Sequence, residues 1–362
     1  MKGAMFHGPN QPLVIEEIEL DSPRDREVLV RTVACGVCHS DLHFVDGLYP
    51  HPTPAVLGHE VAGIVEEVGT AVTYLKPGDH VIACLSVFCG FCENCLSGHP
   101  NLCLNRASTQ RPRGATPRIT SGGQPVVQFL EISGYADKIL VHENALVKIA
   151  DEMPLDRAAL IGCGVTTGVG AVFNTAKVEA GSTVAIFGVG GVGLAAVQGA
   201  RLAGARTIIA IDMHESKLAL ARRLGATHAV DASQSDPVEA VRELTGGGVN
   251  YSFEAIGLKT VAAQAFGCLA PGGVATIIGM IPRGQKIEID GFNLFWGERR
   301  LQGSNMGSNR FRIDMPRYVD LYLQGRLNLD DMISRRARLE DVNDAFRAMK
   351  AGEVARTVLM FD

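Results

Sequence analysis

The chain carries two hydrophobic patterns, one after the other. Up to about residue 150, apolar positions come in short β-branched runs: 12–18 (PLVIEEI), 27–33 (EVLVRTV), 61–68 (VAGIVEEV) and 80–83 (HVIA). Turn sequences such as Lys76-Pro77-Gly78-Asp79 separate them, which predicts a β-rich domain. After Asp156 the period changes. Strands at 183–187, 207–211, 229–230, 250–253 and 273–278 alternate with helices at 194–203, 216–224, 237–244 and 260–269. Alternation of this kind predicts βαβ units and a parallel sheet. The tail breaks the alternation with two amphipathic helices, 314–324 and 339–350, and a closing strand, 356–361. It is expected to pack back on the first domain. The polar, Arg- and Gly-rich stretch from Cys103 to about Gln128 reads as a surface excursion or as a loop edging a substrate cleft.

Composition narrows the class. A chain of 362 residues, 46% hydrophobic and 20% charged, calls for two domains of an ordinary globular protein. Its net charge of −5 is spread along the chain and gives no support for nucleic-acid binding. No apolar run is expected to approach the length of a membrane span, and residues 1–6 carry no signal-peptide core, so the expected location is cytoplasmic, with no membrane partner. The nine cysteines (35, 38, 84, 89, 92, 95, 103, 163 and 268) are odd in number and clustered. Without a secretion signal that reads as metal binding rather than disulfides.

Three constellations carry chemistry. The first is Gly188-Val-Gly190-Gly191-Val192-Gly193, which follows a buried strand and opens a helix. Gly188 permits a tight turn, Gly190 lets backbone approach a pyrophosphate, and Gly193 lets helix and strand pack closely. Asp212, at the end of the next strand, can accept from the adenosine ribose and would repel a 2′-phosphate, so NAD is expected over NADP. Lys217 could flank the same ribose. The plainer alternative is a Gly-rich structural turn with a capping Asp. The second constellation is Cys89-x-x-Cys92-x-x-Cys95 followed by Cys103. Four thiols within fifteen residues, with no His or carboxylate, suit a closed structural zinc site, against the alternative of buried free thiols. The third begins at Cys35-x-x-Cys38, which alone could be a redox dithiol or half of a zinc knuckle. Cys38, His59 in Gly58-His59-Glu60, and Cys163 in Gly162-Cys163-Gly164 together offer a Cys/His/Cys set with one open position, the donor set of catalytic zinc. Cys35, Cys84 and Cys268 are then left as packing residues.

These motifs, with Gly36-Val-Cys38-His39-Ser40-Asp41 and Gly162-Cys163-Gly164-x-x-Thr167-Gly168, resemble the zinc-containing medium-chain alcohol dehydrogenase family over essentially the full length. The resemblance implies an α/β protein: residues 1–164 a GroES-like catalytic domain with a structural zinc lobe at 84–104, residues 165–305 a Rossmann NAD-binding domain with a doubly wound parallel sheet, and residues 306–362 a return to the catalytic domain. It implies an active site between the domains, two Zn2+ per subunit and NAD. The reaction would interconvert a primary aliphatic or aromatic alcohol and its aldehyde by hydride transfer. It also implies roles. Ser40 passes the alcohol proton through the cofactor ribose to His43; Asp41 fixes the ring of His59; Glu60 is a near-metal carboxylate. His39 and Arg356 lie beside the cofactor, and Thr167 contacts the nicotinamide. Leu85, Phe129, Leu130 and Met280 line an apolar substrate pocket, with Met306 nearby. Asp41 could equally cap a helix, and His43 could be a solvated surface residue. A homodimer or homotetramer is implied, with pairing near residues 273–289. Two rival readings remain. One is oxidation of S-hydroxymethyl thiol adducts, as in the glutathione-dependent formaldehyde dehydrogenase branch. Against it, Tyr49 stands where that branch has an acid, and Ala107 where it has an arginine, with Arg106 one place off. The other is a zinc-ribbon binding module.

Overall fold

A computed structural model describes residues 1–353 and 355–362. It divides into one unit made of residues 1–163 and 310–362, and a second made of residues 164–309.

The first unit is built around the ten-residue strand Glu27–Gly36. Val28, Val30, Thr32 and Ala34 alternate into the core at 0% exposure, while Leu29, Arg31 and Val33 between them stay half-buried, the period of two that the pattern predicts. This strand pairs antiparallel with Glu60–Val68 on one side. On the other side it pairs with Lys138–His142 and then, through Ala34 to Gly36, with the C-terminal strand Thr357–Met360. The chain end is thereby sewn into the sheet that begins at residue 27. A second, six-stranded sheet runs from Val14–Glu17 through Lys2–Phe6, Ala55–Val56 and the hairpin of Gln124–Gln128 and Ile119–Ser121 to Glu19–Leu20. The 103–128 excursion is tied down at Glu27, whose carboxylate pairs with both Arg111 and Arg118. Burial would raise the Glu27 pKa, but the hydrogen bonds from Arg111 and Arg118 override it and hold the carboxyl at about 2.

The second unit is a six-stranded, all-parallel sheet. Its spatial order is His228–Asp231, Thr207–Asp212, Thr183–Phe187, Val249–Glu254, Leu269–Ile277, Arg300–Gly303. The helices Gly191–Leu202, Glu215–Leu224, Pro237–Thr245 and Lys259–Gly267 connect successive strands. This is the doubly wound Rossmann order, and it reverses between Thr183–Phe187 and Val249–Glu254. The return to the first unit begins at Arg310 rather than 306. The reason is local: Gly307 seats against Gly170, and Ser304 and Ser308 both bond the Thr175 hydroxyl.

One expectation needs correction. The helical run Leu155–Ala176, 22 residues with two π-turns, is long and apolar enough to cross a membrane. Of its most apolar window, 83% is buried within the protein, so it is read as a core helix.

Candidate active site

The strand Glu27–Gly36 delivers Cys38 to the start of the short helix His39–Val45. Cys38 occupies the N-cap position in extended backbone, yet its side chain caps nothing and is free for other chemistry. Asp41 follows in the first turn, but it does not cap the helix. Its carboxylate is fully buried and accepts from Gly58 N (3.1 Å), His59 Nδ1 (3.1 Å) and the Tyr135 hydroxyl (3.0 Å). An acceptor at Nδ1 places the proton there and leaves Nε2 as a lone pair. Nε2 is buried without a hydrogen-bond partner. Gly58, at φ +88°, makes the turn that sets this ring. A Cβ there would fall 2.5 Å from Tyr135 Cδ1.

Cys163 arrives from the π-turn Ile161–Val165, a local widening found often at functional sites. A Cβ on Gly162 would come 3.0 Å from Ala83 O and 3.4 Å from Glu60 Cα, so glycine lets this turn press onto the sheet. As a result, one ligand atom each from Cys38, His59, Glu60 and Cys163 lie within 4.8 Å of one another, all buried. Two sulfurs and an orphaned imidazole nitrogen facing one buried point fit a zinc ion. The electrostatics agree. The Cys38 thiol is held well below its usual pKa, first by a hydrogen bond from Cys163 and also by the Arg356 charge, against burial. Cys163 is pushed well above it by the same hydrogen bond and by burial. Burial raises the Glu60 carboxyl to about 8, although Arg356 pulls the other way. Arg356 Nη2 lies 3.0 Å from Glu60 Oε1, and Nη1 donates to Val37 O at 3.1 Å.

The four-thiol lobe is independent of this cluster. Cys92 Sγ lies 3.4 Å from Cys95 Sγ and 3.9 Å from Cys103 Sγ, and Cys89 Sγ is 3.8 Å from Cys95 Sγ. Sulfurs about 2.3 Å from a common tetrahedral centre stand about 3.8 Å apart, so the spacing fits a zinc ion. Backbone amides of Cys89, Cys92 and Asn105 donate to these sulfurs, and no carboxylate or imidazole joins them. Amides of Cys95 and Leu104 hold Cys92 down at about 6, while burial pushes Cys95 up to about 12.

In the second unit the glycine turn has three separable geometries. Gly188 has φ +84°, and a Cβ on Gly193 would fall 1.9 Å from Gly188 O. A Cβ on Gly190 would meet nothing. The protein itself therefore does not require glycine at 190, which fits a cradle kept open for a ligand at the helix N-terminus, where Gly191 and Val192 begin the first turn. Asp212 reaches this turn: Oδ2 accepts from Val189 N at 3.0 Å, and Oδ1 accepts from Met213 N and His214 N. Lys217 lies in the helix Glu215–Leu224 that follows. The Thr167 hydroxyl donates to the Met306 sulfur at 3.4 Å.

The remaining expected residues fall as follows. His39, Ser40 and His43 share the helix His39–Val45. Ser40 and His43, three apart, lie on one face, and the His39 and His43 rings are 6.2 Å apart. Burial lowers the His43 pKa, with Cys38 and Asp46 opposing. Phe129 is fully buried, its ring 6.2 Å from that of His59. Leu85 and Leu130 pack against the same core. Leu130, Glu131 and Ser133 all have left-handed φ, a strained turn that presents Phe129. Met280 belongs to the second unit and is exposed. Arg356, expected beside the cofactor, is buried and engaged with Glu60. Sequence reasoning missed Tyr135, whose buried hydroxyl needs a partner and finds it in Asp41, and also the ring cluster of Phe44, His51 and Phe129.

Comparison with known proteins agrees with this geometry. The family profile described as alcohol dehydrogenase GroES-like domain matches residues 24–151, and the one described as zinc-binding dehydrogenase matches residues 191–324. A class-3 alcohol dehydrogenase of Zea mays is 40% identical over 99% of this chain and 96% of its own. The crystal structure of benzyl alcohol dehydrogenase from Acinetobacter calcoaceticus is 33% identical, covers 100% of this chain and 99% of its own, and superposes with a TM-score of 0.94. A zinc-binding dehydrogenase from Sinorhizobium meliloti, solved bound to NADP, is 31% identical, covers 99% of this chain and 98% of its own, and has a TM-score of 0.84. The chain belongs to the zinc-containing medium-chain alcohol dehydrogenase family, with a GroES-like N-terminal domain and a Rossmann-type parallel sheet, and is a zinc-dependent alcohol dehydrogenase.

Proposed function

We propose that the protein oxidises primary alcohols, aromatic ones among them, to aldehydes with NAD, and runs the reverse reaction. The observation that carries this reading is the buried cluster of Cys38, His59 and Cys163, with the ring of His59 turned by Asp41. When bound there, zinc would supply a Lewis acid for the alcohol oxygen, and a nicotinamide dinucleotide held by its pyrophosphate at the Gly188 turn would supply the hydride acceptor. The chain's own residues do the rest. Asp41 holds the imidazole so that Nε2 is the donor atom. The two cysteines bring negative charge that offsets the metal in a buried site. The Ser40 hydroxyl receives the alcohol proton, and His43, on the same helix face, takes it on toward solvent. Phe129, Leu85 and Leu130 give the substrate an apolar wall, which suits a benzylic or aliphatic chain. Asp212 beside the glycine turn supports NAD over NADP.

The class-3 relative favours a second reading, oxidation of S-hydroxymethyl thiol adducts. Arg106 speaks against it. Its guanidinium is engaged by Glu131 at 3.2 Å and by Leu85 O, and so is not held out for an anionic thiol. We also propose a homo-oligomer. The strand Arg300–Gly303 is an open sheet edge, and the adjacent helix Gly291–Trp296 exposes Phe292, Phe295 and Trp296. The test of function is a nucleotide-reduction screen over benzyl alcohol, hexanol and an S-hydroxymethyl thiol adduct, with NAD and NADP in parallel. The reading expects turnover of benzyl alcohol or hexanol with NAD. A strong preference for the adduct, or for NADP, would overturn the corresponding part.

A further inference from the structure

Glu254 ends the strand Val249–Glu254, and its register partner on the neighbouring strand is Phe187, the residue before the glycine turn. Those two strands flank the point where the sheet order reverses, the crevice in which open parallel sheets receive ligands. The side chain is fully buried and belongs to neither metal cluster. Its Oε1 accepts from the amides of Ile256 (2.9 Å) and Gly257 (2.6 Å), and at 3.4 Å from Leu258. Its main-chain oxygen accepts from the amides of Ile278 (2.9 Å) and Gly279 (3.1 Å). One residue thus ties the turn after its own strand to the turn after the next strand. Gly257 completes the junction: at φ +94°, a Cβ there would fall 2.8 Å from Met280 O.

The turn so held reaches the nucleotide fingerprint. A Cβ on Gly188 would lie 2.3 Å from Ile256 Cγ1, so the Ile256 side chain sits directly over the first glycine. Glu254 Oε2 remains buried without a hydrogen-bond partner and faces Gly279, where a Cβ would fall 2.5 Å from it. Burial raises the Glu254 pKa, and the turn amides pull it back. A buried carboxylate is an expensive way to close a turn. Its yield here is a fixed distance between the 255–258 turn and the Gly188 turn.

We propose that Glu254 is a positioning residue of the nucleotide site: through the amides of residues 256–258 it holds Ile256 against the Gly188 turn, and so sets nucleotide affinity without touching the nucleotide. This rests on nucleotide binding at that turn. The test measures NAD and ADP-ribose affinity by calorimetry well below the melting temperature, for wild type, Glu254→Gln and Glu254→Ala, with melting temperature recorded beside it. Glu254→Ala, which removes every side-chain acceptor, should weaken both ligands about tenfold. Glu254→Gln keeps an acceptor oxygen and should stay within about threefold of wild type. A Glu254→Ala protein that melts earlier but binds within twofold of wild type overturns the proposal, because a merely structural role predicts that result. Should Glu254→Ala not fold, Glu254→Asp withdraws the acceptor by one methylene and carries the same test; wild-type affinity in it overturns the proposal. A wild-type protein that binds neither ligand overturns the nucleotide reading itself, a distinguishable outcome.

Discussion

Asp41→Asn is the most informative single change to the metal centre. The carboxylate is fully buried and collects three donors: Gly58 N, His59 Nδ1 and the Tyr135 hydroxyl. Hydrogen bonds to a charged group contribute about 1.5–3 kcal/mol each, and leaving buried donors unpaired costs about as much again. Asp41→Ala would strand all three, a loss large enough to threaten folding. Asparagine has the same shape and keeps one acceptor oxygen. If that oxygen faces His59, the ring keeps its orientation but loses the negative charge that strengthens Nε2 as a donor atom. If the amide nitrogen faces it, the tautomer reverses. Either way, groups that orient a ligating histidine typically contribute about 10–100-fold in metal affinity, which is about 1.4–2.7 kcal/mol. The assay is zinc competition with a chelator. The four-thiol lobe shares no residue with this cluster and serves as an internal control. We expect one zinc to be lost at about 10–100-fold lower chelator concentration than in wild type, with the other unmoved. Asp41→Asn releasing both zincs at wild-type chelator concentrations would refute the assignment of Asp41 to the ring of His59.

Three further outcomes follow from the structure. Cys92→Ser should remove one zinc and lower the melting temperature by about 5–10 °C, the shift that roughly 3 kcal/mol produces in a domain of this size, while nucleotide binding persists; a fully stable but inactive variant contradicts the structural role. Asp212→Gly should weaken NAD and improve NADP relative to it, read as the ratio of their kcat/KM values, and an unchanged ratio refutes the part given to Asp212. Glu27 has a folded pKa of about 2 against an ordinary 4.5, a depressed carboxyl. Its contribution to stability is therefore present above about pH 4.5 and lost as pH falls toward 2. Acid unfolding of Glu27→Gln should be flatter across that window than that of wild type, and identical acid profiles would count against the Arg111–Glu27–Arg118 tie.

Much of this molecule is legible from local pattern. The strand Thr183–Phe187 reads as a short apolar run closed by glycine, and it is buried at every position. The glycines beyond it differ in kind: of Gly188, Gly190 and Gly193, only Gly190 has free space where its side chain would be. The four-thiol lobe is contained within fifteen residues, so spacing alone reveals it. What escapes is long-range or contrary to local propensity. The run Leu155–Ala176 holds Gly162, Gly164, Gly168 and Gly170, poor helix formers that hide the helix in the local pattern. They are there for close approach, as Gly168 to Val192 O and Gly170 to Gly307 O show. Tyr135 gives no sequence signal of its tie to Asp41, 94 residues away. Arg356 is legible only as a residue beside the cofactor, and its pairing with Glu60, 296 residues away in the chain, gives no local signal. Glu254 lies just past the strand expected at 250–253 and is not singled out, because its main-chain partners, the amides of Ile278 and Gly279, sit in the turn beyond the next strand.

Alcohol oxidation is proposed to depend on a zinc held by Cys38, His59 and Cys163, separate from the zinc of the four-thiol lobe. Zinc content and alcohol-dependent NAD reduction, measured on the same samples of wild type and Cys163→Ala, test it most directly. Wild type should carry two zincs and turn over alcohol. Cys163→Ala should carry one zinc, show no measurable turnover and retain NAD binding. A Cys163→Ala protein that oxidises alcohols at the wild-type rate, or a wild-type protein that is active with a single zinc in the lobe, would contradict it.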